Sequence, residues 1–258
     1  MNRLLQTTFC LTLLGILAAW TSSSAEAVII DDFTTAQSLV AAGADGTEDS
    51  GSVSDLVVPI DIIGGTRGTL LEKTGGLGSP PNAIRLNAIP VTSSMSINRD
   101  SGIAGRALLQ WDGDDTTTPD DFADPTSNLS YLLGAAGDLT VGGGIGILLT
   151  VLEADLPGQT FELTLWDSAI AFTKLSLTTV PTAPPSFDLL FPFAAFSDPG
   201  FDFSSVGAIT LAITGPVNSD LRLDVIGTYV PEPGAATLLG LGSVVALARL
   251  RRARRRVA

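Results

Sequence analysis

Apolar and polar residues alternate at period two through most of the second half of the chain. Phe161, Leu163 and Leu165 alternate with Glu162, Thr164 and Trp166, and Leu175 and Leu177 with Lys174, Ser176 and Thr178. Ile209, Leu211 and Ile213 alternate with Thr210, Ala212 and Thr214, and Leu221, Leu223 and Val225 with Arg222, Asp224 and Ile226. Successive side chains of a strand point to opposite faces, so each stretch predicts a strand with one buried face. Ile145 to Ala154, an apolar run broken by Thr150 and Glu153, predicts a strand covered on both faces. Phe187 to Phe196 is apolar and aromatic around Pro192.

The first half is less regular. Val28 to Phe33 reads as an opening strand, and Leu56 to Ile63, interrupted by Pro59, as an edge strand. Further strands are predicted at Thr66 to Glu72, Ala83 to Ile89, Val91 to Ile97 and Ile103 to Trp111, with a short one at Leu129 to Leu133. The small, polar and acidic stretch Ala41 to Asp55 reads as a loop, as does Thr74 to Asn82. Strands spaced by Gly, Pro and Asp turns, without helical periodicity between the two chain ends, predict an all-β fold. The expected architecture is a two-sheet antiparallel β-sandwich of jelly-roll type with about 10–12 strands.

The two ends carry different signals. Arg3 precedes the short apolar run Leu11 to Trp20, and Ala25 and Ala27 stand where a signal peptidase reads small residues. Residues 1–27 therefore read as a secretory signal helix, cleaved before Val28. Cys10 does not make a lipoprotein signal, because the apolar run follows it. At the other end Val230-Pro231-Glu232-Pro233 is stiff, since proline fixes φ and lacks an N–H. Ala235 to Ala248 is then apolar, broken by Gly, Ser and Thr alone. As a helix it covers roughly 21 Å, short of a hydrocarbon core of ~30 Å. Extension to Leu250 and snorkelling arginines narrow that gap. Arg249, Arg251, Arg252, Arg254, Arg255 and Arg256 follow. Such a cluster stays on the cytoplasmic side, which places VPEP and everything before it outside.

This tail, residues 230–258, resembles the PEP-CTERM sorting domain of exported bacterial proteins, with its Pro-Glu-Pro motif, short transmembrane segment and basic terminus. The resemblance implies recognition by an exosortase-like enzyme at Val230, Pro231, Glu232 and Pro233. It also implies anchoring in the inner membrane, and delivery to the cell surface or extracellular matrix. The chain thus divides into a signal (1–27), a β-sandwich domain (28–229) and a sorting tail (230–258).

Charge and composition remove most chemistries. The chain has no histidine, and its one cysteine, Cys10, lies in the signal. Ser-His-Asp and Cys-His catalysis, and His- or Cys-based metal centres, are excluded. Residues 28–229 hold 25 of the 27 acidic residues but 7 of the 14 basic ones, a net of −18. A domain so acidic is repelled by nucleic acid. Gly142-Gly143-Gly144 lacks a phosphate-loop pattern and reads as a turn.

Three candidate sites survive. Asp112, Asp114, Asp115, Asp120, Asp121 and Asp124 could supply oxygens to a structural Ca²⁺, although the distal glutamate of a helix–loop–helix calcium site is missing. Trp166, on the polar face of its strand, and Trp111 are the rings that could stack on sugars. Glu72, Glu153 and Glu162 are the acids from which a glycosidase pair would be drawn. Asp31-Asp32-Phe33, Trp111-Asp112-Gly113 and the segment 191–215 together resemble jelly-roll modules that bind carbohydrate. The main expectation is a non-catalytic exported surface or matrix protein. Alternatives are a carbohydrate-binding module of the extracellular polymer, with polysaccharide as partner, and a carboxylate-dependent glycosidase.

Overall fold

The computed structural model describes residues 27–42, 46–54, 62–76, 82–114, 119, 121–122, 124, 126–179 and 186–231. Among them are thirteen strands. In chain order these are β1 (Ile29–Asp31), β2 (Gln37–Ala42), β3 (Glu48–Ser54), β4 (Thr66–Gly75), β5 (Ala83–Ile89), β6 (Ser94–Arg99) and β7 (Ala104–Trp111). Then come β8 (Gly146–Ala154), β9 (Thr160–Ser168), β10 (Ala171–Thr178), β11 (Phe187–Pro192), β12 (Ala208–Gly215) and β13 (Asp220–Tyr229). They form two antiparallel sheets. Sheet A has the order β11-β8-β13-β6-β5-β2, with β1 also paired to β13, and sheet B the order β10-β9-β12-β7-β4-β3. The fold is the all-β sandwich that the alternation predicts.

The alternating residues meet between the sheets. Phe161, Leu163 and Leu165 of β9, Ile209, Leu211 and Ile213 of β12, and Leu109 of β7 face Ile97, Ile147, Leu149, Val151, Leu221 and Leu223 of sheet A, all buried. Apolar area removed from water at ~25 cal/mol per Å² is what holds the layers together.

Two buried polar clusters cross the core at opposite ends. At the end where β13 finishes, Asp31 accepts two hydrogen bonds from Arg67 Nη1 (2.7 and 2.9 Å), one from Trp111 Nε1 (2.9 Å) and one from Phe33 N (2.8 Å). Arg67 also donates to Gln37 Oε1 and Thr35 O, and its guanidinium lies 5.4 Å from the Phe33 ring centroid. Strands β1 and β2 of sheet A are thereby tied to β4 and β7 of sheet B. At the far end, buried Arg99 of β6 donates to Gly105 O of β7 and to Ser219 O and Oγ. Burial pushes its pKa down to about 10, partly offset by Asp220 and Asp155.

Four local expectations are corrected. The opening strand ends at Asp31, because Phe33 takes φ 57° and Asp32 Oδ1 accepts Thr34 N in a turn. The expected loop Ala41 to Asp55 contains β2's last residues and β3, which pairs with β4 along its whole length. Edge pairing is made by backbone groups, so Ser and Gly suffice. Leu129 to Leu133 is not a strand: Asn128 and Tyr131 have positive φ, and Leu129 packs on Trp166. The apolar strand β8 buries one face fully and leaves Leu148, Thr150 and Leu152 half-buried on the other. The predicted strand Leu56 to Ile63 lies mostly outside the described residues, as do both terminal segments. Among the described residues no helix is long and apolar enough to cross a membrane.

Candidate functional site

The outer face of sheet B is closed at its centre and open at one edge. Leu70, Leu108, Gln110, Thr164 and Thr210 point outward yet are buried. The segment after β7 supplies part of the cover. Asn128 O accepts from Gln110 Nε2 at 3.0 Å, Leu129 and Tyr131 pack with Trp166 and Ala208, and Phe122 lies 4.2 Å beneath the Arg106 guanidinium. Asp112 anchors this segment. Its carboxylate accepts from Gln110 Nε2 (2.8 Å), Ser130 N (3.0 Å) and Asp114 N (3.2 Å), and Asp114 in turn accepts from Ser130 Oγ (2.9 Å).

Those contacts give Asp112 and Asp114 a structural role. Asp124 is turned back on Thr126, whose N and Oγ1 both donate to it, and this holds its carboxyl below the ordinary carboxylate range. Asp115 and Asp120 lie outside the described residues. Among the described residues no three acidic groups converge as a metal site.

Both tryptophans correct the expectation of a stacking platform. Trp111 faces the core and donates to Asp31. Trp166 does point outward, but it is 4 % exposed and donates Nε1 to Thr210 Oγ1 at 3.0 Å. Leu129 and Phe172 cover it, because an indole ring on a sheet face gains more from apolar cover than from water. The three glutamates do not pair either. Glu162 binds Lys174 Nζ at 3.4 Å, Glu72 binds Arg106, and Glu153 stands opposite Arg222 in sheet A. Glu72 and Glu162 lie on strands three positions apart, about 14 Å at ordinary strand spacing. That exceeds the ~5–10 Å of a glycosidase pair. Val230 and Pro231 end the described chain; Glu232, Pro233 and the six tail arginines lie outside it.

The open edge is β10. Phe172 is 43 % exposed, with its ring centroid 4.8 Å from that of Trp166 and the planes 39° apart. Below it along the same face run Lys174, Ser176 and Thr178, all exposed, with Glu162 and Thr160 of β9 beside them. Lys174 pairs with Glu162, and the Thr160 and Thr178 hydroxyls are 3.2 Å apart. The strip is about 20 Å long at ~3.4 Å per residue. The outer edge of β10 is itself capped: Ser197 N donates to Lys174 O, and Asp198 N to Thr173 Oγ1. The segment Ser197–Asp198 thus covers the edge of β10 around Lys174 and leaves the strand face free. Phe172 carried a readable signal. It falls in phase with the polar set Lys174, Ser176 and Thr178, where an apolar ring has no core to enter.

An exposed ring at the head of a row of hydroxyl, ammonium and carboxylate groups can receive the apolar face of a sugar ring, and those groups can hydrogen-bond its hydroxyls.

No family model matches the chain, and no curated protein does. Solved structures similar to it include the family 11 carbohydrate-binding module of the cellulosomal cellulase Lic26A-Cel5E of Clostridium thermocellum, at 11% identity and TM-score 0.33, covering 80% of this chain and 95% of that one. A family 29 carbohydrate-binding module is similar at 10% identity and TM-score 0.31, covering 75% and 88%. TmCBM61, solved with β-1,4-galactotriose, is similar at 9% identity and TM-score 0.28, covering 54% and 70%.

Proposed function

We propose that this chain is a non-catalytic, exported β-sandwich that binds a neutral polysaccharide along the β9–β10 face. The exposed Phe172 ring seated on buried Trp166 carries this reading. A net charge of −18 over residues 28–229 disfavours polyanionic glycans and leaves neutral ones. The N-terminal signal exports the domain, and the VPEP tail holds it at the membrane until an exosortase-like enzyme acts.

Affinity electrophoresis against neutral glucans, mannans and galactans tests the binding. Wild-type migration should be retarded by at least one of them, and Phe172→Ala should lose that retardation while keeping its melting temperature to within a few degrees, as suits a half-exposed side chain. Equal retardation of the two proteins would remove Phe172 from the site. No retardation on any glycan would favour the second reading, a purely structural matrix protein, which the burial of both tryptophans supports.

A further inference from the structure

The cover over Trp166 is strained. Asn128 to Tyr131 cross the outer face of sheet B, and both end residues take left-handed backbone, Asn128 at φ 59° and Tyr131 at φ 53°. Asparagine tolerates that region because its side chain is short and polar, whereas a bulky residue such as Tyr131 does not. Strain of this kind persists only where surrounding contacts over-determine it, and it gathers at ligand clamps and switches.

The contacts that hold this strap are of a kind a sugar can replace. Leu129, Trp166 and Ala208, with Tyr131 packed against them, form a small apolar cluster separate from the main core. The strap belongs to no strand. Its hydrogen bonds to β7 and the residues just after it are made with the side chains of Gln110, Asp112 and Asp114. Immediately beyond, the backbone is pinned: Leu132 N donates to Asp112 O and Leu133 N to Gly207 O.

Two polar atoms here have no partner. Gln110 Oε1 and the Tyr131 hydroxyl are buried and make no hydrogen bond among the described residues. The Gln110 side chain is wholly buried, so its unpaired oxygen bears the full cost of lost hydration. Gln110 stands opposite Thr210 of β12, which accepts from Trp166 Nε1 of β9. Trp166 and Gln110 are therefore two strands apart, about 10 Å across the sheet.

We infer that residues 128–131 are a strap over a second sugar subsite, which continues the β9–β10 surface inward across Trp166 to Gln110 and opens when glycan lifts the strap. The inference rests on the glycan-binding reading above. A sugar ring entering there takes the place of Leu129 on the Trp166 indole, beside Phe172. Its hydroxyls donate to Gln110 Oε1 and accept from Gln110 Nε2, replacing Asn128 O. Lifting also releases the backbone strain at Tyr131. Closure and glycan compete, so the apparent affinity is reduced by the fraction of molecules whose strap is open.

Two variants of the full chain test this by affinity electrophoresis against the same neutral glucans, mannans and galactans. Leu129→Ala weakens closure and leaves Phe172, Trp166 and Gln110 in place, and should bind about fivefold or more tightly than wild type. Tyr131→Cys with Gly207→Cys, in a Cys10→Ser background, locks the strap. A β carbon at Gly207 lies 3.0 Å from Tyr131 Cβ, close to the ~3.5–4.5 Å of a disulfide. The oxidised protein should bind about fivefold or more weakly than the same protein reduced. Equal retardation of the oxidised and reduced forms would overturn the strap and leave the glycan reading standing. No retardation of any of these proteins, Leu129→Ala and the reduced form included, would overturn both.

Discussion

Phe172 and Trp166 lie opposite each other on paired strands, and the one that sequence pattern favours is the one the fold hides. Trp166 has the larger ring and the same outward phase, yet its neighbours close over it. Period-two alternation tells which face a side chain takes, and says nothing about whether a second layer covers that face. Asp112 teaches the same lesson. Its acid-rich stretch does not announce a structural role, yet its carboxylate accepts from three N–H donors of the protein. Asp100 shows a charge whose value can be measured. Its hydrogen bond from Arg85 is the chief cause holding its carboxyl below the ordinary value of 3.8, with Ala83 N donating as well at 2.9 Å. A carboxyl depressed in the fold contributes stability that is present above the unfolded-chain value and is lost as pH falls through the folded one. Thermal melts should therefore show Asp100→Asn less stable than wild type at neutral pH, with the two curves converging in acid below 3.8. Parallel curves across the whole range would mean that the charge contributes nothing.

At the scale of elements, the Asp31–Arg67 pair joins strands that belong to different sheets. A buried charge without its partner is costly, whereas a neutral pair of similar volume is not. Arg67→Met alone should lower the unfolding free energy by about 3–5 kcal/mol in denaturant titration, because it strands the Asp31 carboxylate. Asp31→Asn combined with Arg67→Met removes both charges and keeps one acceptor oxygen for the Phe33 N–H, so it should lose less than the single variant. A double variant as unstable as the sum of the two singles would show that the pair is not coupled. Strands β9, β12 and β13 were legible because each buries alternate apolar residues against the other sheet. Strand β3 was not, since an edge strand of Glu, Asp, Ser and Gly is held by β4's backbone and has almost no apolar phase to read.

At the scale of the molecule, Ala27–Tyr229 is one compact unit, and the signal and sorting roles proposed for residues 1–27 and 230–258 are read from sequence. The tail's role can be decided without any ligand. Mass spectrometry of the protein from its own cells should find a C-terminus near Pro233 if an exosortase-like enzyme processes it. An intact Ala258 would make the tail a permanent anchor. The sequence by itself determined the all-β class, the exclusion of His- and Cys-dependent chemistry, and the segregation of acidic domain from basic tail. Those properties are sums or periodicities of local residues, and local residues are what a sequence displays. Tertiary structure alone decided that Trp166 is covered and Phe172 open, that Asp31 finds Arg67 across the core, and that Val28 lies beside Thr228 where β13 ends. Each of these depends on strands distant in the chain lying side by side, and pairing of that kind leaves no mark on either strand read singly.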